Sequence, residues 1–113
     1  MLPKINRLTK DRDFKKILFG GRSFFSQSFR LRHRLNNLEA SRFVVVISAK
    51  ISKKATVRNR LKRQLAEVIR LNLKQIKPGY DLAMYLKKEA LDKDYQQLEQ
   101  ELLAALKKMR LVK

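Results

Sequence analysis

Val57, Leu61, Leu65 and Val68 recur at steps of four, four and three, the repeat of a helix with one face in a core. At about 100° per residue, Arg58, Asn59, Lys62, Arg63 and Arg70 fall on the other side. The spacing predicts a helix that starts at or just after Ser52 and runs to the low seventies, with an apolar floor and a cationic roof. Upstream, residues 1–8 form a short basic lead. Thr9 is a candidate N-cap, with Asp11 in the first turn, where the helix dipole favours an acid. A short helix over about 10–19 follows, with Phe14, Ile17 and Leu18 on one face. Gly20-Gly21 ends it, because glycine accepts the left-handed conformation after a last turn. From Ser23 to Leu35 the pattern alternates: Phe29, Leu31, His33 and Leu35 share one parity, and Arg30, Arg32 and Arg34 share the other. In a strand this sets three guanidinium groups on one sheet face.

Asn36-Asn37 is a turn signal. The run FVVVI between Arg42 and Ser48 is apolar on both parities, which predicts a strand covered on both faces. Pro78-Gly79 marks a turn, and Tyr80 to Leu86 reads as a strand. Asp94, with Gln97 three residues on, has the form of a capping box. It opens a helix whose stripe is Tyr95, Leu98, Leu102, Ala105, Leu106 and Met109. The order is helix, two or three strands, helix, strand, helix, an α+β class with helices packed on one small sheet.

Composition adds a partner to this picture. A chain of 113 residues is expected to form one domain over 1–113, since a second would be too small to bury its own core. The net charge of +18 opposes compaction by self-repulsion. Nucleic acid is the leading partner, because phosphate neutralisation with counterion release rewards many lysines and arginines. An anionic membrane surface is a weaker reading, and no run approaches the ~20 apolar residues of a span. The absence of cysteine excludes disulfides, thiolate nucleophiles and cysteine-ligated metals. MLPKINRLTK lacks the apolar core of a secretory signal, so a cytoplasmic location is expected. Five of the ten acids are Glu89, Asp92, Asp94, Glu99 and Glu101, which leaves the preceding segment more basic still and places the expected RNA-facing surface there.

Catalytic chemistry finds little support in the chain itself. The single histidine, His33, keeps apolar company, and Asp11 and Asp13 sit two apart on a helix and do not face each other. No acid pair has metal-site or general acid–base spacing, and no phosphate-binding glycine loop is present. The basic stretch is different. Lys50, Lys53, Lys54, Arg58, Arg60, Lys62, Arg63 and Arg70 stand against one acid, Glu67, whereas an ordinary solvated face interleaves signs. Arginine forks bind phosphate oxygens bidentately, and Asn59 supplies a donor and an acceptor between two of them. The lysines leading in lie at the helix N-terminus, where the dipole also favours phosphate.

Lys54-Ala55 followed by Val57-Arg58-Asn59-Arg60-Leu61-Lys62-Arg63 resembles the RNR motif of the bacterial ribonuclease P protein subunit. Asp13-Phe14, the Gly-Gly pair, the valine-rich strand and the Pro-Gly strand fit the same family. The resemblance implies an α-β-β-β-α-β-α fold with a four-stranded mixed sheet, in which the long helix joins parallel strands by a left-handed crossover, against the usual rule. It implies a ribonucleoprotein endonuclease that removes the 5′ leader of precursor tRNA. Catalysis there belongs to the RNA, which uses Mg²⁺. The protein is expected as a monomer in a 1:1 complex with that RNA, with no protein metal site and no membrane partner. The other reading is a structural RNA-binder of ribosomal type.

By the same resemblance Lys50, Lys53, Lys54, Arg58, Asn59, Arg60, Lys62, Arg63 and Arg70 meet the catalytic RNA. The leader-binding cleft lies between the first helix and the sheet and takes Phe14, Leu18, Arg30, Arg32 and Arg34. Phe14 offers a base-stacking face, and Leu18 falls where the family often has an aromatic. The family pattern continues with an arginine where this chain has Ala66. On the helical wheel Ala66 lies near the middle of the cationic face, so one contact is missing there or is supplied by Arg70, one turn on.

Overall fold

The computed structural model describes residues 2–113. Its main elements are α1 (Asp11–Gly20), β1 (Arg22–Phe25), β2 (Phe29–Leu35), β3 (Arg42–Val46), α2 (Ala55–Leu71), β4 (Tyr80–Leu86) and α3 (Tyr95–Lys108). The strands form one mixed sheet in the order β1-β2-β4-β3. β1 pairs with β2 and β2 with β4 antiparallel, while β3 and β4 run parallel with α2 between them in the chain. This is an α+β fold with helices on both sheet faces.

The two faces follow from strand parity. Phe29, Leu31, Phe43, Leu82, Met84 and Leu86 point to one side and form the main core with Leu61, Leu65, Val68 and Ile69 of α2 and Leu98, Leu102 and Leu106 of α3. Each of these α2 and α3 side chains is at most 1% exposed, so the predicted stripes are the buried ones. The other face carries a smaller cluster of Leu8, Ile17 and Ala83, with Phe14, Val44 and Tyr85 packed against it. α1 therefore lies alone on the face that bears Arg30, Arg32 and Arg34.

Several local expectations change. The valine-rich strand, β3, is covered on both faces, with Phe43 and Val45 on the main core and Val44 on the smaller cluster, but it is an edge strand and Val44, Val45 and Val46 are only half-buried. Its outer side meets the basic lead, through the Arg7–Phe43 bridge and a Leu8 N–H that donates to the Phe43 carbonyl at 3.0 Å. The most deeply buried strand is β4, where Asp81, Leu82, Ala83 and Met84 are all buried, because it has β2 and β3 at its sides and a core cluster on each face. Thr9 does not cap α1: Lys10 occupies the N-cap without a side-chain bond, its carbonyl accepting from Asp13 and Phe14. The Gly20-Gly21 pair does not supply a left-handed turn, since Gly21 is extended at φ −87° and ψ 167°. Its value is close approach: a Cβ there would lie 2.6 Å from the Ile17 carbonyl oxygen and 3.0 Å from that of His33. Gly79 does take the left-handed conformation, at φ 92°, in the Pro-Gly turn. The Asp94–Gln97 capping box forms in both directions, at 2.8 and 3.0 Å.

Candidate nucleic-acid interface

The entry to α2 is built by its own loop. The Ser52 hydroxyl accepts from the Lys54 N–H at 3.3 Å, and Arg58 Nη1 donates to the Ser52 carbonyl at 2.7 Å. Arg58 is thus half-buried and partly engaged, and it fixes the lysine-bearing loop against the first helical turn. Lys50, Lys53, Lys54, Asn59, Arg60, Lys62 and Arg63 are exposed. Among the described residues none of these cations has a carboxylate partner. A face of unneutralised cations on a rigid helix raises the local concentration of a polyanion.

Two positions depart from the wheel. Ala66 is half-buried and packs against the main core, on the flank of the cationic face rather than in its middle. It borders a hollow of about 640 Å³ with Lys62, Arg63, Glu67 and Tyr95. Arg70 is bound to Glu67 by Nε at 3.0 Å and by a second, shorter bond from Nη2. The Arg70 hydrogen bond holds the Glu67 carboxyl below its ordinary range, and the same bond pushes Arg70 up. Arg70 is therefore not a free substitute for the arginine absent at 66.

On the opposite sheet face, register sets Phe25 opposite Arg30, Arg30 opposite Tyr85, and Tyr85 opposite Val46. The Arg30 guanidinium carbon lies 4.5 Å from the Tyr85 ring centroid, a cation–π geometry. Phe14 reaches the same ring from α1, centroids 6.3 Å apart and tilted by 54°. Lys87 Nζ stands 5.9 Å from the Phe25 ring. The buried Tyr85 hydroxyl makes no hydrogen bond among the described residues, and burial pushes its pKa up. Phe25, Arg30 and Tyr85 thus make a row across the sheet, which Phe14 of α1 meets at Tyr85. The resemblance selected Phe14 and Arg30, and sequence reading missed Tyr85 and Phe25. Tyr85 shares parity with Asp81 and Ala83 on β4, a signal that becomes useful only once the register with Arg30 is known.

The three strand arginines are not brought together. Arg32 lies under the end of α1 and donates to the carbonyls of Ile17 (3.2 Å), Leu18 (3.0 Å) and Gly21 (3.0 Å) and to the Ser23 hydroxyl (2.8 Å). Four of its five N–H donors are thereby used within the chain. Arg34 sits opposite Asp81, roughly 13 Å along the strand from Arg30, and its Nε donates to the Leu35 carbonyl. Leu18 is 39% exposed on α1, and its carbonyl is one of the Arg32 acceptors.

The other end of α1 is tied down by charge. Arg42 donates to both carboxylate oxygens of Asp81, at 2.8 and 2.7 Å, and to Asp13 at 3.1 Å. Asn36 adds a bond to Asp81 at 2.9 Å. The Asp81 hydrogen bond is the chief cause that raises the Arg42 pKa. Asp13 is thus a clamp between α1 and the sheet, and both buried carboxylates serve one guanidinium. Among the described residues no three His, Asp or Glu side chains converge in one group. No helix is long and apolar enough to cross a membrane.

The family model for Ribonuclease P matches residues 2–110. The Ribonuclease P protein component of Cyanothece is 37% identical over 118 residues, covering 90% of each chain. That of Clostridium botulinum is 37% identical over 106 residues, covering 93% of this chain and 95% of the relative. Among solved structures, the RNase P protein from Thermotoga maritima aligns with a TM-score of 0.83 at 33% identity, over 90% of this chain and 96% of that one.

Proposed function

We propose, for a chain that belongs to the ribonuclease P protein family, that it docks on the catalytic RNA through α2 and grips the 5′ leader of precursor tRNA with the cleft beside α1. The observation that carries this division is the placement of the two cationic surfaces on opposite faces of one sheet. A single RNA helix cannot cover both. The α2 face offers exposed Lys53, Lys54, Asn59, Arg60, Lys62 and Arg63 with no ring among them, which suits the backbone of folded RNA. The cleft offers Phe14, Tyr85 and Phe25 beside Arg30, which suits unstacked bases and their phosphates.

In this reading the chain performs no bond-breaking step. The RNA holds the Mg²⁺ that supports phosphodiester hydrolysis, and the protein acts where that RNA acts, one copy to one RNA. Its residues bind and orient the leader and add positive charge where RNA strands converge. Arg32 and the Arg42–Asp13–Asp81 cluster hold α1 at a fixed height over the sheet, so they set the width of the cleft without touching its contents.

The test is leader cleavage by the catalytic RNA at low Mg²⁺, with and without the full chain. Stimulation by the chain, together with an Arg30→Ala variant that loses preference for precursor over mature tRNA, is the expected result. Failure to stimulate favours a structural RNA-binder without a processing role. Equal loss for precursor and mature tRNA removes the cleft assignment.

A further inference from the structure

Burial along β2 fades toward one end of the sheet. On the face covered by α2 and α3, Phe29 and Leu31 are fully buried, His33 is half-buried and Leu35 is 59% exposed. The helical layer stops short there and leaves a hollow of about 340 Å³ at the sheet end. This volume lies in the ~300–1,000 Å³ range of small-molecule sites. Its floor is apolar, from Met109 and the buried Leu111 just after α3. Two rings line it: His33 and Tyr80, centroids 6.1 Å apart and tilted by 58°. Two guanidinium groups border it, Arg22, paired in register opposite His33, and Arg34, reaching round from the other face.

No carboxylate lines this hollow. Arg22 has no ion-pair partner among the described residues, and Arg34 spends only its Nε, on the Leu35 carbonyl. Guanidinium forks with free donors fit phosphate, and half-buried rings beside an apolar floor fit a base. A bare anion would use the arginines and leave the rings and floor without a role. The hollow is distinct from the α1 cleft, since none of Phe14, Phe25, Arg30 and Tyr85 lines it and Arg34 and Arg30 are separated along β2.

We propose that this hollow binds one nucleotide of an unpaired RNA strand, with its base against Tyr80 and His33 and its phosphate between Arg22 and Arg34. The site shares with the proposed function only the class of ligand, RNA. It gives the chain a third contact, able to hold a strand that is neither the docked RNA helix nor the leader in the cleft.

The single histidine is a built-in reporter, because its ring protons give isolated NMR signals in the full chain. The titrant is adenosine 5′-monophosphate at constant ionic strength and pH 8, above the ordinary histidine value of about 6.5. The expected result is a saturable shift of the His33 ring signals that inorganic phosphate at the same concentration does not reproduce. Arg22→Gln, at an exposed and unpartnered position, should weaken the nucleotide by about fivefold or more and keep the circular dichroism of the parent. Tyr80→Leu should weaken it while leaving phosphate binding unchanged. No saturable shift, an equal shift with phosphate, or unchanged affinity in Arg22→Gln overturns the proposal. Loss of nucleotide binding in Arg22→Gln, with preference for precursor over mature tRNA retained, supports a site separate from the cleft. If the nucleotide fails to bind while Arg30→Ala still erases leader preference, this proposal falls and the leader reading stands.

Discussion

Replacing Arg32 by alanine removes the four hydrogen bonds that fasten the end of α1 to the sheet. Two of them, to the Ile17 and Gly21 carbonyls, are part-buried, and two, to Leu18 and Ser23, are exposed. A charged donor to a buried acceptor contributes ~1.5–3 kcal/mol at most, and partial exposure reduces this to about 1 kcal/mol for each of the first two. The exposed pair contributes about 0.5 kcal/mol each. The sum is about 3 kcal/mol, which includes the favourable position of a cation at a helix C-terminus. Urea unfolding should show the midpoint falling by about 2 M at a slope of ~1.5 kcal/mol per M, with the slope unchanged. Arg32→Lys reaches fewer acceptors and should lose about half as much. If Arg32 instead held leader phosphate, the alanine variant would keep its stability and lower the salt slope of leader binding by about 0.7. An unfolding midpoint equal to that of the parent, with that lowered slope, refutes the positioning role.

Further outcomes are expected elsewhere. Arg63→Ala should weaken binding to the catalytic RNA by roughly 1–3 kcal/mol and flatten its salt dependence. Arg70→Ala should cost less in the same filter-binding titration, because Arg70 is engaged by Glu67. Ala66→Arg should leave the salt slope nearly unchanged, since position 66 faces the α3 flank. Glu101 is pulled up by burial, but hydrogen bonds from the Ser26 hydroxyl and from the Ser28 N–H and hydroxyl outweigh this and lower its pKa. Its folded value lies below the unfolded one, so its contribution is present above about pH 4.3 and is lost as pH falls through the folded value. Glu101→Gln should abolish that acid-limb loss in urea midpoints measured from neutral pH downward. Asp81→Ala leaves Arg42 and Asn36 without their main acceptor and should destabilise by about 3–5 kcal/mol in the same unfolding assay.

Much of this molecule is dictated by local pattern. The periods of α2 and α3, the Asp94–Gln97 cap, the Pro-Gly turn and the limits of β4 depend on nearest neighbours along the chain, so the sequence by itself determined them. The run on α2, with one acid among its cations, did the same for the cationic face, because charge on an exposed helix needs no partner to be read. Tertiary structure alone decided the rest. The valine run of β3 marked a strand covered on both faces but could not say that it lies at an edge; pairing order put β2 and β4 in the middle. Alternation placed Arg30, Arg32 and Arg34 on one face, yet it could not say what lay above each. Under α1 the three part company: Arg30 meets the Tyr85 ring, Arg32 is consumed by the carbonyls at the end of the helix, and Arg34 is left at the sheet end. Parity is a property of a single strand, whereas a cleft is a property of register between strands and of the helix laid across them. That is why Tyr85, separated from Phe14 in sequence by three strands and the long helix, enters the site only in three dimensions.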